Sequence, residues 1–364
     1  VLEVGPNLYH ASGPHPSDIQ VGLVVIALVR DEMWRLPFFL AYHRWLGVRH
    51  FIVIDNKSKD GTPDFLGNER DVTCILAPGE YGGRPKGQHI WLRWALSLAP
   101  PERWNLLLDA DELLVPPALR QDGLKPLLGA LNQEGAAIAA ASLVDCYPAA
   151  FPFPTHFEPV PWQRAPWFDC GPYFQWPAAG SRIRYIHHGV RERVCWPNWW
   201  WVRHVKPVVP RPLRPRALHD SPPWVIKMPL LRNVPGLAFH SVHASSGAPR
   251  SAYLFPLLHY KFDIDLPAKV ELALRERQYA RNSHEYEGYA RMLAKSGFDL
   301  RYEGSRRFEG AQSLVDAELG EFGAGIEDCA NLIGPSLSSV VDEVWQHGDL
   351  RLQKEAWHRT WAHA

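Results

Sequence analysis

The sequence has no charge of one sign to spare: 39 Lys and Arg balance 39 Asp and Glu over 364 residues. A general nucleic-acid binder carries a basic excess, so that class is not expected here. Cysteine is scarce and scattered, at Cys74, Cys146, Cys170, Cys195 and Cys329, with no C-x-x-C pair. This spacing excludes a zinc knuckle and a disulfide framework and favours a reducing compartment. Long apolar runs are missing near the start. Val21–Val29, interrupted only by Gly22, is about half the ~20 residues a membrane span needs. Residues 1–20 hold no basic segment followed by an apolar core, so no signal peptide is read there, and a cytoplasmic location is expected. Fixed-period repeats and low-complexity tracts are absent as well.

What is present is a globular composition, 46% hydrophobic and 21% charged, with an unusual 33 prolines and 16 tryptophans. That pairing points to long ordered loops with aromatic surfaces. Val21–Val29 reads as a buried strand, because it is short, apolar and rich in β-branched residues. A helix over Met33–Leu46 follows, with Pro37 in its first turns and Gly47 as its stop. Phe51–Ile54, Thr73–Leu76 and Asn105–Leu108 are further strands, with helices beginning near Pro63 and spanning Gln88–Leu98. A helix over Leu124–Glu134 and a strand over Ala136–Val144 come next. Strands alternating with helices predict a doubly wound, mostly parallel α/β sheet. From Pro148 to Pro235 prolines and aromatics dominate, and a surface or lid is expected. A long helix is predicted over Pro267–Lys295 and a last one over Val340–Trp361. The expected division is a lead-in (1–20), a main domain (21–265, with 148–235 as acceptor-side loops) and a helical C-terminal region (266–364).

Several strands end in acids or amides: Asp31, then Asp55 and Asn56, then Asp109 and Asp111. Ligands of open α/β sheets bind beyond the carboxyl ends of the strands, so these groups should converge on one crevice. Asp109-Ala110-Asp111 is the sharpest signal. In an extended chain residues two apart point the same way, and two hard oxygen donors suit Mg²⁺ or Mn²⁺. Such an ion would neutralise a diphosphate leaving group. The plainer alternative is a strand-ending acid pair that caps a turn; Asp31 and Asp55 have the same alternative as helix caps.

Arg30-Asp31-Glu32, Leu40-Ala-Tyr-His-Arg-Trp-Leu-Gly47 and Ile54-Asp-Asn-Lys-Ser-Lys-Asp-Gly-Thr62 resemble the opening of family-two-like glycosyltransferases with the GT-A fold. The similarity is greatest to the bacterial branch related to the eukaryotic β-galactosyltransferases of the N-glycan core. Leu106-Leu-Leu-Asp-Ala-Asp-Glu112 resembles that branch's D-x-D strand. Phe168-Asp169, Gly189–Arg193, Lys227–Leu230, Ser241–His243 and Leu258–Phe262 resemble its later blocks in order, so the likeness covers roughly Gly22 to Leu293. The stretch Cys195–Pro223 departs from it, being longer and richer in Trp, Pro and Arg.

The resemblance implies a metal-dependent transferase that uses a nucleotide-sugar, UDP-linked by preference, and inverts the anomeric centre. It implies that Asp55 and Asp31 bind the nucleoside, that Arg84 contacts base or phosphate, and that Asp109 faces ribose and metal-bound water. Asp111 would bind Mn²⁺ or Mg²⁺, with His243 or His259 completing the metal shell and Lys261 as an alternative phosphate clamp. The base that takes the acceptor proton would be a carboxylate. Asp169, in an aromatic loop, is favoured over Glu192, whose neighbours Arg191 and Arg193 would depress its pKa.

Trp196-Pro-Asn-Trp-Trp-Trp201, with Arg203, Lys206, Arg211, Arg214 and Arg216 after it, interleaves aromatics with positive charge. Such a surface suits sugar rings and anionic headgroups. The acceptor is therefore expected there, as a glycan or lipid-linked glycan, with peripheral contact at the inner face of the membrane. A Pro-rich loop covering the core or an oligomer contact fits equally well. Two other functions remain open: a carbohydrate-binding protein without catalysis, and a sugar-phosphate nucleotidyltransferase. The latter lacks its usual Gly-rich first loop after Val29.

Overall fold

The computed structural model describes residues 2–20, 22–82, 87–115, 123–153, 158–170, 174–177, 184–187, 189–196, 224–295 and 297–317. Its centre is a twelve-stranded mixed sheet. One half contains β1 (Leu2–Gly5), β2 (Leu8–Ser12), β3 (Val24–Val29), β4 (His50–Asp55), β5 (Val72–Leu76) and β6 (Trp104–Leu107), in the spatial order β1-β2-β5-β4-β3-β6. Here β5, β4, β3 and β6 run parallel, and β2 lies antiparallel along β5. The other half contains β7 (Glu112–Leu114), β8 (Ile138–Tyr147), β9 (Trp167–Asp169), β10 (Ile226–Arg232), β11 (Arg250–His259) and β12 (Ser305–Arg307). The path continues β6-β10-β8-β9-β12, with every step antiparallel. β11 lies parallel to β8 and antiparallel to β7.

β3 shows how residue type sets the layers. Its run Val-Val-Ile-Ala-Leu-Val is buried on both faces, as a central parallel strand should be. Successive side chains point to opposite sides. Val25, Ala27 and Val29 join a cluster with Leu36, Phe39 and Leu40 of the helix Leu36–Trp45. Val24 and Ile26 join a second cluster with Trp91, Leu92 and Ala95 of the helix Gly87–Ser97. Helices therefore cover both faces of the parallel half.

Three expectations need correction. The sheet is mixed rather than mostly parallel, because β2, β7, β9 and β10 run against their neighbours. The stretch 148–235, expected to be surface or lid, supplies β10, which is buried between β6 and β8 near the middle of the sheet. Pro229 hid this strand, since proline cannot donate to a ladder. It is accommodated where the β10–β8 register shifts between Lys227 and Leu230, and Met228 N–H bonds instead to the Val242 carbonyl. The long helix expected over Pro267–Lys295 is two helices, Leu266–Glu276 and Ala280–Leu293, separated at Arg277, whose φ is +55°.

Leu266, Val270 and Ala273 pack in one cluster with Tyr147, Val190 and Phe262, so the first of these helices shares a core with the sheet. Among the described residues, the four cysteines are free thiols. No helix there is long and apolar enough to cross a membrane. The helix expected over 340–361 lies outside the described residues.

Candidate active site

A cleft of about 1060 Å³ opens beyond the carboxyl ends of β3 and β6. Asp31 ends β3 in the left-handed region, with φ +55°. Its amide donates to Ser58 Oγ and its carboxylate accepts from Lys59 N–H, leaving the side chain 37% exposed at the cleft wall. Burial raises its pKa. Asp55 ends the neighbouring strand but is turned inward. Its Oδ2 accepts from Ser58 N–H at 3.2 Å and it does not line the cleft. Asp55 is thus the acid that holds the 55–58 turn; it caps no helix, since the next one begins at Thr62 behind Gly61.

The D-x-D segment is a turn in this structure, not an extended strand, with Glu112 N–H donating to the Asp109 carbonyl at 3.0 Å. The two carboxylates consequently part company. Asp109, 52% exposed, accepts from Lys227 Nζ at 2.7 Å. Asp111 faces His259, with Oδ2 3.6 Å from Nε2. Burial alone would raise the pKa of Asp111, but His259, Lys269, Arg35 and Lys261 outweigh it and hold the carboxyl well below the usual range.

His259 closes β11, and its Nδ1 lies 2.6 Å from Asp145 Oδ1 at the end of β8. A carboxylate against Nδ1 fixes the proton there and aims the Nε2 lone pair outward, the arrangement found behind metal-ligating histidines. Nε2 faces the Asp111 oxygen at 3.6 Å, a gap that a metal ion or a second imidazole proton would fill. Asp111, Glu112 and His259 each offer a ligand atom within 4.8 Å of the others. The donor set of carboxylate oxygen and imidazole nitrogen suits Mn²⁺ more than a soft-metal site. Both Glu112 oxygens, however, accept from Lys227 Nζ, at 2.5 and 2.6 Å. Asp111 and His259 are therefore the better-placed pair.

Lys227 is 2% exposed and sits between Glu112 and Asp109. Burial pushes Glu112 up, to about 8, against the lowering effect of the ammonium. Burial acts the other way on Lys227, where the two carboxylates overcome it and raise its pKa. Behind His259, burial would raise Asp145, but Arg191, 2.5 Å away, and His259 itself hold it below the ordinary value.

The helix Leu266–Glu276 forms the opposite wall, clamped at both ends. Arg35 makes two 2.5 Å hydrogen bonds to Asp265, and Arg30 makes a two-pronged contact with Glu276 at 2.7 and 2.8 Å. Lys269, on this helix, pairs with Glu32 and Asp265 and lines the cleft. Lys261 lines it too, with Nζ 3.3 Å from Glu285 and beneath Tyr286. At one end the Tyr81 and Tyr279 rings meet at 5.2 Å, and Tyr81 N–H donates to Gln278.

The structure thus brings Asp31, Asp109, Asp111, His243, His259 and Lys261 to one cleft. It does not bring Asp169 or Glu192 there. Asp169 is buried on β9, where Tyr147 O–H donates to it and Arg193 contacts it at 3.1 Å. Glu192 is buried on the helix Val190–Cys195, and its neighbours Arg191 and Arg193 serve Asp145 and Asp169. His243 stands outside the Asp111–Glu112–His259 group. Arg84 lies outside the described residues, as do residues 197–223 of the Trp-rich stretch; Trp196, the first of that run, is buried against Tyr289. The sequence reading missed Glu112, Asp145 and Lys227 as site residues. Asp145 had a signal, a lone charge at the end of an apolar run, and Glu112 directly follows the acid pair. Comparisons with models of known protein families and with curated proteins gave no match.

Proposed function

We propose that the chain is a glycosyltransferase of the GT-A type that moves a sugar from a nucleotide-sugar, UDP-linked by preference, to a hydroxyl of a glycan or lipid-linked glycan. The observation that carries this reading is the pairing of Asp111 with the Asp145-oriented His259, in a large cleft beyond the carboxyl ends of parallel strands. Mn²⁺ or Mg²⁺ held by Asp111 and His259 would offset the charge of a departing diphosphate. Lys261 and Lys269 add fixed positive charge along the same cleft, and Asp31 offers a half-exposed carboxylate to a ribose or base. Asp109 contributes differently: bound to Lys227, it ties the turn after β6 to β10.

Calorimetry with UDP, GDP, CMP and dTDP, each with and without Mn²⁺, tests the proposal on the wild-type protein and Asp111→Ala. Metal-dependent binding of one nucleotide, lost in the variant, is expected. A folded protein that binds none of the four refutes it.

A further inference from the structure

The base that an inverting transfer needs is not supplied by Asp169 or Glu192, since neither reaches the cleft. Most carboxylates that do reach it are already engaged. Glu276 takes Arg30, Glu32 and Asp265 take Arg35 and Lys269, Glu285 takes Lys261, and Asp109 takes Lys227. Asp60 accepts from the Thr62 amide and hydroxyl and from Met33 N–H. A carboxylate held by a cation is a weaker proton acceptor.

His243 is in a different state. It sits in the turn of the hairpin Ala238–Ser241/Ala244–Ser246, which Met228 N–H ties to β10, and it lines the cleft. Its Nδ1 lies 2.6 Å from the Ile226 carbonyl, an acceptor only, so Nδ1 carries the proton. Nε2 is then a lone pair, with no partner among the described residues. Beside it stands Trp224, 45% exposed and lining the same cleft, with its ring centroid 6.4 Å from the imidazole and the planes at 83°. A half-exposed indole next to a proton acceptor suits a sugar hydroxyl, because the ring packs against the sugar while the hydroxyl is aimed.

We infer that Trp224 and His243 form the acceptor subsite, with the acceptor sugar stacked on the Trp224 ring and its hydroxyl directed at His243 Nε2. This rests on the transferase reading above. In the step, the acceptor oxygen bonds to the anomeric carbon as its proton passes to Nε2. The bond from that carbon to the nucleoside diphosphate breaks, and the electron pair leaves with the diphosphate. The charge state is suitable. Burial lowers the His243 pKa, Lys227 on β10 and Arg191 on the helix Val190–Cys195 add to this, and the Ile226 carbonyl and Asp109 oppose it. The imidazole is therefore neutral at pH 7 and able to accept.

Three measurements test the inference: UDP affinity in Mn²⁺, UDP release from UDP-galactose and UDP-glucose with water or methyl glycosides as acceptor, and ¹⁵N-imidazole NMR of His243. His243→Gln should leave UDP affinity within about twofold and slow UDP release on the order of 10²–10⁴-fold. It should also abolish the acid limb of the wild-type rate profile, which lies below the ordinary histidine value of about 6.5. Trp224→Ala should raise the methyl-glycoside KM about tenfold with little change in UDP affinity. NMR should show the Nδ1–H tautomer. Release within threefold of wild type in His243→Gln, an Nε2–H tautomer, or a wild-type protein that binds UDP without turning over either donor overturns the subsite. Failure to bind any nucleotide instead overturns the transferase reading itself.

Discussion

Replacing Lys227 by methionine probes the polar centre beneath the acid turn. Methionine retains most of the stem volume and removes the ammonium, so the packing of β10 between β6 and β8 should survive. What remains is Glu112, 1% exposed, with both oxygens stripped of the ammonium and only Oε2 still accepting, from Asp109 N–H. Breaking a buried pair by removing one partner typically costs ~3–5 kcal/mol. The loss should depend on pH with a definite sign. Burial raises Glu112 even with Lys227 present, and without the ammonium that shift grows. A carboxyl whose folded pKa lies above its unfolded value holds more protons when folded than when unfolded. Stability therefore falls as pH rises from the unfolded value, about 4.5, through the folded one. From about pH 5 to 8 Glu112 stays protonated in both folded proteins and they lose stability alike, so the extra loss in Lys227→Met should be nearly constant there and grow above pH 8, where the wild-type carboxyl ionises first. Adding Glu112→Gln should recover much of it, since no buried charge is then left unpaired. Urea unfolding at a series of pH values, followed by far-UV circular dichroism, measures all three proteins. A Lys227→Met loss below about 1 kcal/mol at pH 8, or one that does not grow above pH 8, would refute the argument.

Arg35→Leu should cost ~3–5 kcal/mol, because Arg35 is 5% exposed and serves Asp265 and Glu32, whereas Arg30→Ala at the more open Glu276 contact should cost about 1 kcal/mol or less. Hydrogen exchange in Leu266–Glu276 should quicken in the first variant, and denaturant melts give both magnitudes. Asp145→Asn should weaken Mn²⁺ binding about 10–100-fold by removing the negative charge behind His259 Nδ1, and titration of Mn²⁺ by electron paramagnetic resonance reads this directly. Gly129→Ala, in a helix with open space where its Cβ would sit, should stabilise by ~0.5–1 kcal/mol. Gly13→Ala should destabilise instead, since φ is +81° and the Cβ would lie 1.9 Å from the Val72 carbonyl oxygen; thermal melts should move in opposite directions.

The parallel half of the fold was legible in the residues. Val24–Val29, His50–Asp55 and Val72–Leu76 are short apolar runs rich in β-branched or aromatic residues, and their acidic or turn-forming ends mark where a ligand cleft belongs. Hydrophobic periodicity reports whether a side chain is buried. It carries no information about which distant residue will stand opposite, and this is why the site was only partly readable. Asp109-Ala-Asp111 announced chemistry, yet a turn after β6 sent one acid to Lys227 and the other to His259. Asp169 looked accessible beside its aromatic neighbours until its place on β9 put Tyr147 and Arg193 against it.

By itself, the sequence determined the strand runs of the parallel half, the helices that cover them and the acids at the strand ends, because each depends on residue type and local spacing. Only the tertiary structure decided that Lys227 closes on Glu112 and that Asp145 orients His259. Those pairs are 115 and 114 residues apart, and they meet because β10 and β11 take their particular registers against β8.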